Sequence, residues 1–137
     1  MVNSICTDWE IITEGSKGYL ISYGPDVLRI KKIVEDNKLD LTIVNARFIR
    51  PLDQKLLDKI AFDNKPILIY EQVVESSSLA MMINFYFTQN KYNTSLINYM
   101  AFNTNQIITH GDIIEVLDYY HMGDKDILEK IKSIWKD

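Results

Sequence analysis

The residues of this chain with chemistry to offer fall in three short stretches. Arg47 and Arg50 stand in N-A-R-F-I-R-P-L-D at 45–53, Glu71 and Glu75 in Y-E-Q-V-V-E at 70–75, and His110 in H-G-D at 110–112. An arginine at a strand end can hold a phosphate or carboxylate through two parallel hydrogen bonds. It can equally tie loops together or pair with Glu71 or Glu75, and spacing alone favours that structural role. The two glutamates could share acid and base work, but no partner stands at a defined spacing, so they read as surface or loop carboxylates. His110 would present an imidazole at a helix start. To serve a serine nucleophile it would need a G-x-S-x-G elbow, which the sequence lacks, so it reads as an interface or loop histidine.

His110, His121 and Cys6 are the only histidines and cysteine, and no two of them have metal-ligand spacing. No metal site is expected. Tyr23-Gly24-Pro25-Asp26 reads as a tight turn, because no G-x-G-x-x-G or Gly-Lys-Ser/Thr lets backbone amides wrap a diphosphate. A net charge of −4 disfavours non-specific nucleic-acid binding, which needs clustered cations, and Lys31-Lys32 reads as part of a solvated helix face. One cysteine allows no intrachain disulfide and fits a reducing compartment. No apolar run approaches the roughly 20 residues that span a bilayer. The opening residues lack a basic start and an apolar core, so no signal peptide is read there. These features predict a cytoplasmic protein without membrane or nucleic-acid partners.

The elements that must position these residues follow from apolar patterning. Residues 1–17 read as a lead-in arm or edge strand, and 18–137 as one α/β domain. Tyr19–Tyr23, Leu41–Val44 and Pro66–Tyr70 are continuous apolar runs, as expected of parallel strands covered on both faces. Ser95–Tyr99 reads as a fourth. Between them, Val27, Ile30, Ile33 and Val34 mark a helix opened by Pro25, and Leu56, Leu57, Ile60 and Ala61 a helix capped by Asp53. Ser76–Ser78 open a third helix through Leu79, Met82, Ile83, Tyr86 and Phe87, which is apolar nearly all round and predicts core packing plus a partner-facing edge. Further helices are read from Gly111-Asp112 and from an Asp124 cap, the last with Ile127, Leu128, Ile131, Ile134 and Trp135 inward. This alternation predicts a three-layer α/β sandwich with a mostly parallel sheet of about five strands.

Ligands of such sheets sit beyond the carboxyl ends of the strands, where Gly24, Asn45–Arg47, Glu71–Glu75 and Tyr99–Phe102 fall. Pro51 disfavours helix at Arg50 and Asp53 can cap the next helix, so 45–53 reads as a loop of fixed shape suited to docking.

With these residues in place, the chain resembles the C-terminal domain of the transketolase superfamily. The resemblance rests on Glu14-Gly15, Tyr23-Gly24, A-R-F-I-R-P-L-D at 46–53, Tyr70-Glu71-Gln72 and His110-Gly111, and covers roughly residues 9–135. Within the superfamily it looks most like the 1-deoxy-D-xylulose-5-phosphate synthases. It departs from them at Gln72, where a second acid is usual, and at Ser76–Ser78, where a glycine-rich turn is usual.

The resemblance implies a whole enzyme that joins pyruvate and glyceraldehyde 3-phosphate, with loss of carbon dioxide. It implies thiamine diphosphate and magnesium held by the N-terminal and central domains, with no catalytic, cofactor or metal residue in this stretch. Arg47, Arg50, Asp53, Glu71 and His110 become candidate contacts to those domains or across a homodimer. The isolated domain is expected to be inactive. A transketolase or 2-oxo acid dehydrogenase beta subunit could carry the same module. A free-standing flavodoxin- or receiver-like binding module is the other class of reading, disfavoured because Gly24-Pro25-Asp26 and Glu71 stand where a receiver needs an acidic pair and an aspartate.

Overall fold

The computed structural model describes residues 8–46, 52–73, 79–103 and 123–136. Among them, β1 (Glu10–Thr13), β2 (Tyr19–Ser22), β3 (Thr42–Asn45), β4 (Ile67–Val73) and β5 (Ile97–Asn103) form one sheet in the order β1-β3-β2-β4-β5. Strands β3, β2, β4 and β5 run parallel, and β1 lies antiparallel on the outer side of β3. Four helices are described: α1 (Asp26–Asp36), α2 (Gln54–Asp63), α3 (Leu79–Gln89) and α4 (Asp124–Ile134).

The two-residue period of the strands sorts their side chains between two cores. Leu20, Ile43, Leu68 and Tyr70 point to one face, where they meet Val27, Ile30, Ile33 and Val34 of α1 and Ile127 and Ile131 of α4. Tyr19, Ile21, Val44, Ile67 and Ile69 point to the other, where they meet Leu57 and Ile60 of α2 and Leu79, Ile83 and Phe87 of α3. This is the expected three-layer sandwich with a mostly parallel sheet. Each fully buried aliphatic side chain contributes about 1.5–3 kcal/mol, so both layers are held firmly to the sheet.

The expected edge strand is β1. Its pairing slips at Ile12, since Ile11 faces Val44 while Thr13 faces Ile43. The extra residue turns Ile12 toward the α1/α4 core, and such a bulge bends an edge strand.

Several boundaries differ from the sequence expectation, and β5 runs on to Asn103 rather than ending at Tyr99. Strand β4 does not end at Tyr70 but continues to Val73, paired residue by residue with β5. Glu71 suggested a loop because a carboxylate is costly to bury, and that cost is offset by partners described below. Strand β5 begins at Ile97 rather than Ser95, because the Asn93 side chain accepts the Ser95 N–H at 3.0 Å and holds 94–96 in a 3₁₀ turn. Asp124 does not cap α4: the Asp126 carboxylate accepts the Gly123 N–H at 3.2 Å, while Asp124 Oδ1 takes Arg29 of α1 at 2.8 Å. The helix expected from Gly111 and the Ser76–Ser78 opening of α3 lie outside the described residues.

Candidate functional site

The order β3-β2-β4 places the first parallel strand, β2, between its two successors, so the chain reverses direction across the sheet at the β2/β4 boundary. A crevice opens there in open α/β sheets and takes ligands. In this chain it is bridged by the protein's own side chains. Tyr23, just beyond β2, donates its hydroxyl to Glu71 Oε1 on β4 at 2.9 Å. Ser22 donates to the Tyr70 carbonyl at 2.8 Å.

Glu71 is only 1% exposed. Its Oε1 also accepts the Leu79 N–H at 3.0 Å, and its Oε2 accepts the Ala80 N–H at 2.7 Å. These are amides at the start of the described part of α3, where unpaired N–H groups and the helix dipole favour a negative charge. Reading Glu71 as a surface or loop carboxylate is therefore corrected. It is a buried bracket between β4, α3 and Tyr23. Burial first, then the bond to Glu71, raises the Tyr23 phenol well above its ordinary value.

Asp53 performs the expected cap: Oδ1 accepts the Leu56 N–H at 3.1 Å. Its second oxygen has a use that spacing did not predict, accepting the Trp9 N–H at 2.8 Å. The lead-in is thereby pinned to the start of α2, and Trp9 is only 6% exposed. Both oxygens of this candidate contact are thus engaged within the domain. Arg47, Arg50 and His110 lie outside the described residues, as do Glu75, His121 and Cys6. Asn45, which opens the same motif, ends β3 with its Oδ1 buried and accepting no hydrogen bond among the described residues.

Sequence reasoning missed two further clusters. Arg29 joins Asp26, Asp124 and the Tyr70 hydroxyl, at 2.9, 2.8 and 3.2 Å, and its guanidinium lies 5.5 Å from the centre of the Tyr70 ring. This ties α1 to α4 and to β4. Tyr86 and Tyr92 both donate to Asp58 Oδ1, at 2.7 and 2.8 Å, tying α3 and the turn after it to α2. Burial and that bond push Tyr86 up to about 12. The i, i+3 spacing of Asp26 and Arg29 was a legible signal; the other links join residues far apart in sequence.

A diphosphate needs free amides or cations, and the start of α3 that could supply amides is taken by the Glu71 carboxylate. Among the described residues no three His, Cys, Asp or Glu side chains converge as metal ligands. None of the described helices is long and apolar enough to cross a membrane.

The other candidate surface is α3 itself. Leu79, Ala80, Ile83 and Phe87 are buried, whereas Met81 and Phe85 are 61% and 63% exposed. Leu52 and Gln54 at the start of α2 face Met81, Met82, Phe85 and Tyr86 across a groove of about 420 Å³. The helix therefore carries an open apolar surface on this side.

Comparison with known proteins agrees with this architecture. The family model described as "Transketolase, C-terminal domain" matches residues 7–127. The 1-deoxy-D-xylulose-5-phosphate synthase of Carboxydothermus hydrogenoformans is 29% identical over 128 residues, covering 91% of this chain and 20% of that protein. The synthase of Lysinibacillus sphaericus is 26% identical over 129 residues, covering 92% of this chain and 20% of that protein. The chain thus spans about a fifth of the length of these relatives. Among solved structures, a split gene transketolase described as an inactive beta4 tetramer superposes with a TM-score of 0.76 at 12% identity, covering 97% of this chain and 44% of that one. This chain belongs to the transketolase C-terminal domain family.

Proposed function

We propose that the chain serves as the non-catalytic C-terminal domain of a thiamine-diphosphate-dependent 1-deoxy-D-xylulose-5-phosphate synthase, contributing to interdomain and dimer packing. The observation that carries this reading is the match of nine tenths of the chain to a fifth of the synthases. The bridged strand-end crevice supports it, since Glu71 and Tyr23 use that place for packing rather than chemistry. In this reading the whole enzyme condenses pyruvate with glyceraldehyde 3-phosphate and releases carbon dioxide. Thiamine diphosphate and magnesium belong to its preceding domains, which are this domain's partners in a homodimer.

The agreement with several synthases favours this reading over a transketolase or 2-oxo acid dehydrogenase subunit. A receiver-like module is disfavoured by the same bridge, because its phosphoacceptor place is held by buried Glu71.

The test is assembly. The Carboxydothermus hydrogenoformans synthase, cut to remove its matching fifth, is mixed with this chain and resolved by size-exclusion chromatography. Co-elution as a larger species is expected. Two separate peaks at micromolar concentration would contradict the reading.

A further inference from the structure

Resting on the proposed function, we infer that the groove between the start of α2 and the outer face of α3 seats an apolar patch of the enzyme's preceding, thiamine-binding part rather than a second copy of this domain. The groove is apolar where a solvated helix face would carry charge. Met81 and Phe85 stand exposed on α3, with Met82, Tyr86 and Leu52 beside them. Thioether side chains adapt to an opposing surface, and an aromatic ring supplies a rigid anchor of the kind that dominates interface energy.

The walls are built to hold shape. Asp58 fixes Tyr86 and Tyr92 from α2, and Asp53 caps the start of that helix. A preformed groove loses little freedom when it is filled.

The occupant follows from where the polypeptide enters. In the relatives the match takes about a fifth of the length and is, by family, a C-terminal domain, so the other four fifths lead into it. The lead-in reaches this fold at Trp9, whose N–H is held by Asp53. Leu52 and Gln54, the sequence neighbours of Asp53, form one wall of the groove. A second hollow of about 320 Å³, lined by Trp9, Ile11, Asp53, Leu56 and Lys59 among others, lies beside the entry. A part tethered at that point meets the groove at high effective concentration, whereas a second copy has no such tether.

The probe is the truncated Carboxydothermus hydrogenoformans synthase, titrated with this chain in a calorimeter. Phe85→Glu should weaken binding more than tenfold. Phe62→Glu, at a residue 93% exposed on α2 but outside the groove, should leave it unchanged. Circular dichroism checks the fold of each variant, and Met81→Glu replaces Phe85→Glu if that variant does not fold. Equal affinity of the groove variant and the unmodified chain overturns the groove while leaving the proposed function intact. Failure of the unmodified chain to bind overturns the proposed function, and the groove's occupant with it. Self-association of the chain that Phe85→Glu abolishes, with binding to the probe unaffected, overturns the choice of occupant in favour of a second copy.

Discussion

The hydroxyl of Tyr23, just past β2, donates to the buried carboxylate of Glu71 on β4 at 2.9 Å, and the same carboxylate takes two amides at the start of α3. One side chain thus joins a strand end, a helix start and the strand-end crevice. Its charge is offset by three donors and the helix dipole.

Glu71→Gln keeps the shape but turns one acceptor into a donor facing a donor. At least one bond to Leu79, Ala80 or Tyr23 is lost and a buried group is left unpaired. A loss of about 2–3 kcal/mol is expected in urea unfolding. Tyr23→Phe leaves the α3 amides satisfied and should cost only about 1 kcal/mol. Equal costs would mean that the amide contacts contribute little.

Alkali should weaken the fold through its tyrosines. Burial, aided by bonds to Asp63 and Glu71, raises Tyr19 and Tyr23, and Tyr86 is pushed up to about 12. The folded protein therefore keeps phenolic protons that the unfolded chain releases from about pH 10 upward. Their contribution is fully present below that pH and is lost as pH rises through the folded values. Urea midpoints should be unaffected by these groups up to about pH 10 and fall beyond it, less steeply in Tyr23→Phe. A parallel fall in both proteins would remove Tyr23 from the account.

Asp53→Ala removes a helix cap and the acceptor of the Trp9 N–H together. The expected cost is about 1–2 kcal/mol, with a red shift of tryptophan emission as Trp9 gains water. Asp53→Asn, which can still cap, should recover most of the stability. A loss of stability without an emission shift would show that the lead-in is held by other contacts.

Glycine positions 18 and 24 should respond to alanine for different reasons. A Cβ on Gly18 would lie 2.5 Å from the Pro66 carbonyl oxygen and 2.5 Å from Trp135 Nε1. That oxygen is fixed by the Tyr19 N–H and that indole by the Lys17 carbonyl. Overpacking of about 1–3 kcal/mol is expected. Gly24 has open space around it but a φ of +68°, so alanine there should cost roughly 1–2 kcal/mol through backbone strain alone. Thermal unfolding with near-ultraviolet circular dichroism separates them, because only Gly18→Ala should disturb the Trp135 signal.

The layers were legible because apolar periodicity reports burial directly. The runs at 19–23, 41–44 and 66–70 became the three inner strands, and Val27, Ile30, Ile33 and Val34 became the buried face of α1. The cap at Asp53 was legible because it acts within three residues. Glu71 was not, since the donors that make its burial tolerable come from eight and nine residues ahead and from Tyr23, just past another strand. The second bond of Asp53, across 44 residues to Trp9, is hidden for the same reason. Local pattern shows which residues are buried; it does not show which polar groups meet across a sheet.

The central claim is that this domain is scaffold and not catalyst. Calorimetric titration of the 137-residue chain with thiamine diphosphate, with and without magnesium, tests it most directly. The account predicts no saturable heat under either condition. Saturable binding that requires magnesium would contradict it.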